Sequence, residues 1–172
     1  NLLTNNLHRI FTKKQRNLEF QMKTLGKSID FILQSELLFF VGIGTSGIMA
    51  TYGANLFSSL YKFSLAVTDP QNSPVYYVSE QFDEHICLIV FSVSGQNEDV
   101  VDYINRFRLH HIKVISMTNS ANSTIARISD LNIPYYINVE TYQETNITSQ
   151  LPVVYLLEYL AREVYYQKHK DM

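Results

Sequence analysis

The sequence predicts an α/β fold: five parallel strands in the order 2-1-3-4-5, with helices on both faces of the sheet. Three observations point to it. Short apolar runs alternate along the chain with segments of helical period, the arrangement that builds a parallel sheet covered on both sides. Two of these runs, "LLFFVGIG" and "ICLIVFSVSG", end in glycine- and serine-bearing turns, where open α/β sheets bind their ligands. No repeat or low-complexity linker interrupts the alternation in 172 residues, a length suited to one domain with a proper core.

The elements follow in order. Leu7, Ile10 and Phe11 share one helical face; Leu18, Met22 and Leu25 repeat the spacing, and Ile29, Ile32 and Leu33 continue it. Gly26 falls between them, so two helices split near Gly26 are expected. "LLFFVGIG" reads as the first buried strand, "IMATYGANLFSSLYK" as a helix, and "FSLAV" (63–67) as the second strand. "TDPQNSP" is a loop, and 75–85 is ambiguous, with a short helix as one reading. "ICLIVF" (86–91) is the third strand. "NEDVVDYINRFRLHH" (97–111) is the clearest helix, with Glu98 and Asp99 early and Arg106, Arg108, His110 and His111 late, complementing the helix dipole. "KVISMT" (113–118) is the fourth strand and "STIARIS" a short helix. "NIPYYINV" (132–139) is a fifth strand, placed at an edge because Pro134 lacks an N–H. The final helix spans 149–169, with Pro152 tolerated in its first turn.

Composition narrows the function. The chain is 46% apolar with net charge −2 and a pI near 6.2, so it carries no basic footprint for nucleic acid. Cys87 is the only cysteine. It rules out an internal disulfide or a cysteine-based metal site, suits a reducing cytoplasm, and reads as a small buried hydrophobe. No apolar run approaches the roughly 18 residues that span a bilayer, and no signal-peptide pattern opens the chain. The first residue is Asn1 rather than Met, which suggests a fragment or a processed product, with room for another domain ahead of it.

Two turns carry the chemistry. In "GIGTSG", Gly42, Gly44 and Gly47 have the G-x-G-x-x-G spacing of a dinucleotide-binding turn, and Asp69 stands where an acid could meet a ribose. Asp69, however, comes 27 residues after Gly42 and is followed by Pro70. A turn role fits it better. In "SVSGQNED", Ser92, Ser94, Gly95 and Asn97 lie where a strand yields to a helix. Unpaired N–H groups at the helix start, serine hydroxyls and an amide make a phosphate cradle, and Gly95 lets an anion approach closely. The cradle has no Walker lysine, which argues against nucleotide-triphosphate chemistry. The competing reading is that Ser94 or Asn97 simply caps the helix.

Together, "VGIGTSG" and "SVSGQNED" resemble the SIS (sugar isomerase) domain, which carries a G-x-G-x-S turn and then an S-x-S-G-x-T-x-E loop. "VISMTNSANSTIARISDLNI" is similar to that family's strand, threonine turn and short helix. The resemblance implies an SIS-type, Rossmann-like sandwich that binds a phosphosugar and needs no cofactor. It implies that Ser46 contacts the sugar, with Gly44 and Thr45 shaping the turn, and that Ser92, Ser94 and Gly95 hold the phosphate. Asn97 stands where the family has threonine, and Asp99 where it has glutamate.

SIS domains occur as sensors and as isomerases. An isomerase needs a positioned general base, for which Glu80, His85, Glu140, Glu144 and Glu158 are the candidates. The leading helices resemble the linker that precedes the SIS domain in RpiR-type bacterial transcriptional regulators. Residues 1–34 are then linker helices and 35–172 the phosphosugar-binding domain, with DNA binding assigned to a preceding helix-turn-helix domain. A homodimer is expected, its interface built from the leading helices and the final helix, including Leu156, Leu157, Leu160 and Val164. A sugar-phosphate isomerase and, behind it, a dinucleotide-dependent enzyme are the alternatives.

Overall fold

The computed structural model describes residues 15–74 and 85–170, with side chains from residue 21 onward. The chain order is α1 (Gln15–Gln34), β1 (Leu37–Val41), α2 (Thr45–Leu60), β2 (Ser64–Val67), β3 (Ile86–Ser92), α3 (Glu98–Arg108), β4 (Lys113–Thr118), α4 (Thr124–Ile128), β5 (Leu131–Pro134), β6 (Thr141–Tyr142), β7 (Thr145–Asn146) and α5 (Leu151–His169). The five-stranded sheet has the order β2-β1-β3-β4-β5, and every pairing in it is parallel. This is the order the sequence predicts. β5 is an edge strand, as Pro134 requires.

The register explains the apolar runs. Val41 pairs with Val67 and Val90, and Phe40 with Ala66 and Ile89, so successive side chains alternate between two helical layers. Leu38, Phe40, Cys87, Ile89, Phe91, Ile115 and Met117 face α1, α2 and α5. Val41, Leu88, Val90 and Val114 face α3 and α4. Every residue of β3 is buried, as the central strand of a doubly covered sheet must be. Cys87 is fully buried there, and burial pushes its thiol well above the usual range, so it stays protonated.

Four expectations are corrected. The described part of the first segment is one continuous helix, with Gly26 exposed inside it. A mid-helix glycine costs only about 1 kcal/mol, which burial of Leu25, Ile29 and Ile32 on the same helix outweighs. β5 ends at Pro134 rather than 139, because Tyr136 turns to φ 46° and the chain leaves the ladder to bond Asn119. A two-stranded antiparallel hairpin, β6–β7, follows where no element is expected. Leu156, Leu157, Leu160 and Val164 are buried within the chain against the sheet and α1, so they are core rather than a dimer surface. The stripe Leu7, Ile10 and Phe11, and the ambiguous segment up to residue 84, lie outside the described residues. Among the described residues, no helix is long and apolar enough to cross a membrane.

Candidate phosphate-binding site at the carboxyl ends of β1 and β3

The strand order reverses between β1 and β3, and their carboxyl ends open a crevice there. A pocket of about 320 Å³ fills it, toward the small end of ligand cavities. Its walls are the β1–α2 turn (Ile43, Gly44, Thr45, Ser46), the β3–α3 turn (Ser92, Val93, Ser94, Asn97) and Thr145 and Asn146 of the β6–β7 hairpin. Phe91 and Val100 complete the lining. Six of the seven residues singled out in the sequence thus meet in one cavity.

Glycines build the first turn. A Cβ on Gly42 would collide with the backbone carbonyl of Ser46. Gly44, the N-cap of α2, holds φ 60° and ψ −126°, a backbone open only to glycine, and makes no side-chain cap. α2 has no acidic residue in its first turn. Its first amides, Thr45 to Gly47, therefore keep the unpaired donors and partial positive charge of a helix start. Ser46 is nearly buried beside them at 9% exposure.

Side chains build the second turn. Ser92 Oγ accepts from the Gly95 amide at 3.0 Å, and Ser94 Oγ from the Gln96 amide at 3.2 Å. Each hydroxyl keeps its own proton to donate outward, and accepting an N–H strengthens that donation. Asn97 Oδ1 accepts from the Val100 amide at 3.1 Å and caps α3. The capping reading of Asn97 is therefore correct, but Asn97 also lines the pocket, with its Nδ2 making no hydrogen bond among the described residues. Gly95 is the exception among the predicted residues. It does not line the pocket; at φ 65° it turns inward against the side chain of Ser123, and its carbonyl accepts from the Ile125 amide at 2.9 Å. Its role is to fold the turn.

The other candidates lie elsewhere. Asp69 closes a turn, accepting from Asn72 Nδ2 at 2.9 Å, as its loop composition suggests. Asp99 lines a separate groove with Gln71, Asp102 and Arg106. His85 precedes β3, at the opposite end of the sheet from the pocket. Glu158 is engaged by Tyr52 Oη at 2.8 Å and by Arg162 at 3.4 Å. Glu140 and Glu144 sit in and beside the hairpin but do not line the cavity, and Glu80 lies outside the described residues. Among the described residues lining the cavity, none is ionisable and none is a metal-binding cluster. Sequence reasoning missed Thr145 and Asn146. Their segment, "VETYQETNITSQ", has neither a Gly-bearing hairpin turn nor apolar alternation to mark it.

Comparison with known proteins gives this geometry a family. An uncharacterized HTH-type transcriptional regulator of Clostridium perfringens is 28% identical over 154 residues, covering 89% of this chain and 53% of that protein. The chain thus spans about half the length of the regulators it matches. The sugar isomerase domain of an RpiR transcription factor from Sphaerobacter thermophilus shares the fold with a TM-score of 0.76 at 16% identity, covering 99% of this chain and 90% of that one. The Vibrio vulnificus NanR protein complexed with ManNAc-6P shares it with a TM-score of 0.73 at 15% identity, over 99% of this chain and 64% of that one. The SIS domain profile matches residues 31–161. That match begins inside α1, ends inside α5 and takes in both turns of the pocket, so the chain belongs to the SIS domain family.

Proposed function

We propose that this chain is the phosphosugar-sensing domain of an RpiR-type transcriptional regulator of sugar metabolism, acting in the cytoplasm. The observation that carries this reading is the pocket itself. Two helix starts, the hydroxyls of Ser46, Ser92 and Ser94, and the amide of Asn97 converge on a cavity whose described lining holds no ionisable group. Such a wall can hold a phosphate through charge-assisted hydrogen bonds, and none of its described residues is a general base of the kind that moves a proton between sugar carbons. Gly44 and Thr45 shape the sugar end, and Gly95 shapes the phosphate end. A sensor needs only unequal affinity for two conformations. The resemblance to NanR, solved with ManNAc-6P, supports a sugar phosphate as the ligand class. DNA contact falls to a helix-turn-helix domain preceding residues 1–34, which serve as the linker to the domain at 35–172. No cofactor is required.

Calorimetry is expected to show binding of a phosphosugar and none of the unphosphorylated sugar. Equal affinity for both would refute the site, and NADH binding would restore a dinucleotide role. The isomerase alternative is tested by incubating the chain with aldose and ketose phosphates in deuterated water. Deuterium entering next to the carbonyl, and lost in His85→Asn or Glu80→Gln, would make it an enzyme that recruits a base from a neighbouring subunit. Binding without exchange supports the sensor. We also infer a homodimer whose interface draws on the first and last helices, where Met22, Tyr155 and Tyr166 remain exposed. Sedimentation at micromolar concentration would show a monomer if that is wrong.

A further inference from the structure

We infer that the β6–β7 hairpin is the sugar-discriminating wall of the pocket, with Asn146 and Thr145 reading the hydroxyls of the sugar. This rests on the phosphosugar reading of the pocket and assigns it a second, chemically different side. The β3–α3 turn presents serine hydroxyls, which suit any phosphate, and the β1–α2 turn offers the sugar one side-chain hydroxyl beyond Thr45, that of Ser46. One such contact does little to tell one sugar from another. Thr145 and Asn146 enter the same cavity from a different part of the chain.

The side chain of Asn146 is already oriented. Its Oδ1 accepts from the Thr148 amide at 2.9 Å. A backbone N–H can only donate, so that bond fixes which end of the amide is oxygen and leaves the NH₂ as the group that can donate to a ligand. Thr148 is buried, and its hydroxyl ties both ends of the hairpin base, accepting from the Glu140 amide at 2.9 Å and donating to the Glu140 carbonyl at 3.4 Å. The Ile147 amide adds a bond to the same carbonyl at 2.8 Å. The base is thus fastened while both strands of the hairpin stay exposed. Thr145 supplies a hydroxyl that can both donate and accept, matching a sugar hydroxyl. The two residues together offer an oriented donor, from Asn146, and a donor–acceptor hydroxyl, from Thr145. Hydrogen-bonding walls of this kind reject a ligand that lacks or misplaces a hydroxyl far more sharply than apolar walls do.

The test uses the intact chain and a fixed panel: inorganic phosphate, glucose 6-phosphate, fructose 6-phosphate, N-acetylmannosamine 6-phosphate and arabinose 5-phosphate. Dissociation constants are measured for the wild type, Asn146→Ala, Thr145→Val and Ser94→Ala. Thr145→Val keeps shape at an exposed position, so it remains informative if Asn146→Ala perturbs the hairpin. We expect both hairpin variants to narrow the spread between the best and worst sugar phosphate by about tenfold, the scale of one hydrogen bond to a fixed partner. Inorganic phosphate should change by less than about twofold in them, whereas Ser94→Ala should weaken every member by a similar factor. An unchanged sugar ranking and spread in both hairpin variants, with wild-type binding intact, overturns this inference alone. Failure of every sugar phosphate to bind the wild type overturns the phosphosugar reading and this inference with it.

Discussion

The two turns that meet in the pocket occupy equivalent places, each between a strand end and a helix start, yet they are built in opposite ways. The β1–α2 turn is shaped by missing side chains: Gly42 lets the chain pass under Ser46, and Gly44 adopts a backbone only glycine reaches. The β3–α3 turn is shaped by side chains that are present, with Ser92, Ser94 and Asn97 each accepting a backbone amide. The difference teaches how an anion site can form without a cation. One turn leaves its helix amides bare. The other satisfies its own amides and turns hydroxyl and amide protons outward. The largest effect should therefore come from filling space in the first turn. Gly42→Ala drives a Cβ into the Ser46 backbone, which cannot move without shifting the start of α2. A loss of about 3 kcal/mol is expected in denaturant unfolding, the upper part of the overpacking range, with ligand binding abolished. A stable, binding-competent Gly42→Ala variant would break the contrast.

The second turn contains one glycine, Gly95, and it should be the next most sensitive position. Alanine there meets a φ of 65° and the side chain of Ser123, which caps α4 by accepting from the Ala126 amide at 3.2 Å. The left-handed backbone alone costs about 1–2 kcal/mol, so about 2 kcal/mol in total is expected from thermal or denaturant unfolding. Adding Ser123→Gly should recover only the steric part. Full recovery would mean that the backbone conformation is unimportant.

These two glycines also mark what the sequence could reveal. The centre of the sheet was legible because β3 is buried on both faces and reads as the unbroken apolar run "ICLIVF". The pocket was legible because its glycines and serines fall just past two apolar runs, where open α/β sheets bind their ligands. Which way each residue faces was not legible: Gly95 looked like a phosphate contact and proved to face Ser123. Asn97 carried two readings at once, and the structure gives it both positions. Gly26 looked like a break because local propensity is visible in sequence, whereas the packing that overrides it is not. The hairpin was hidden for a related reason. Its turn residues, Gln143 and Glu144, take φ values of 45° and 66°, positions normally marked by Asn-Gly or Gly.

The serines should separate the turns by ligand rather than by stability. On the proposed reading, Ser94 donates to the phosphate, so Ser94→Ala is expected to cost about 1–2 kcal/mol of binding. Ser46 would touch the neutral sugar, so Ser46→Ala should cost about 0.5–1 kcal/mol. Isothermal calorimetry against a phosphosugar and inorganic phosphate checks the division. Ser94→Ala should weaken both, and Ser46→Ala only the phosphosugar. The same loss for both ligands in both variants would show that the turns do not divide the ligand between them.

The smallest effect is the most discriminating, because Asn97 caps α3 and lines the pocket with opposite ends of one amide. Its Oδ1 holds the Val100 amide, and its Nδ2 is the group available to a ligand. Asn97→Ala removes both and should cost about 1 kcal/mol of stability, the usual worth of an N-cap, together with some affinity. Asn97→Asp separates them. The carboxylate keeps an acceptor for Val100 and adds a negative charge to a helix start, so stability should hold or rise by about 0.3–1 kcal/mol at low ionic strength. The same charge faces the position assigned to the phosphate, with no cation among the described lining residues to screen it. Binding should therefore fall further in Asn97→Asp than in Asn97→Ala, while stability moves the other way. Unfolding and calorimetry on the two variants measure both quantities. If affinity instead follows stability, so that aspartate binds as well as asparagine, Asn97 is a cap alone and the phosphate lies nearer the bare amides of α2.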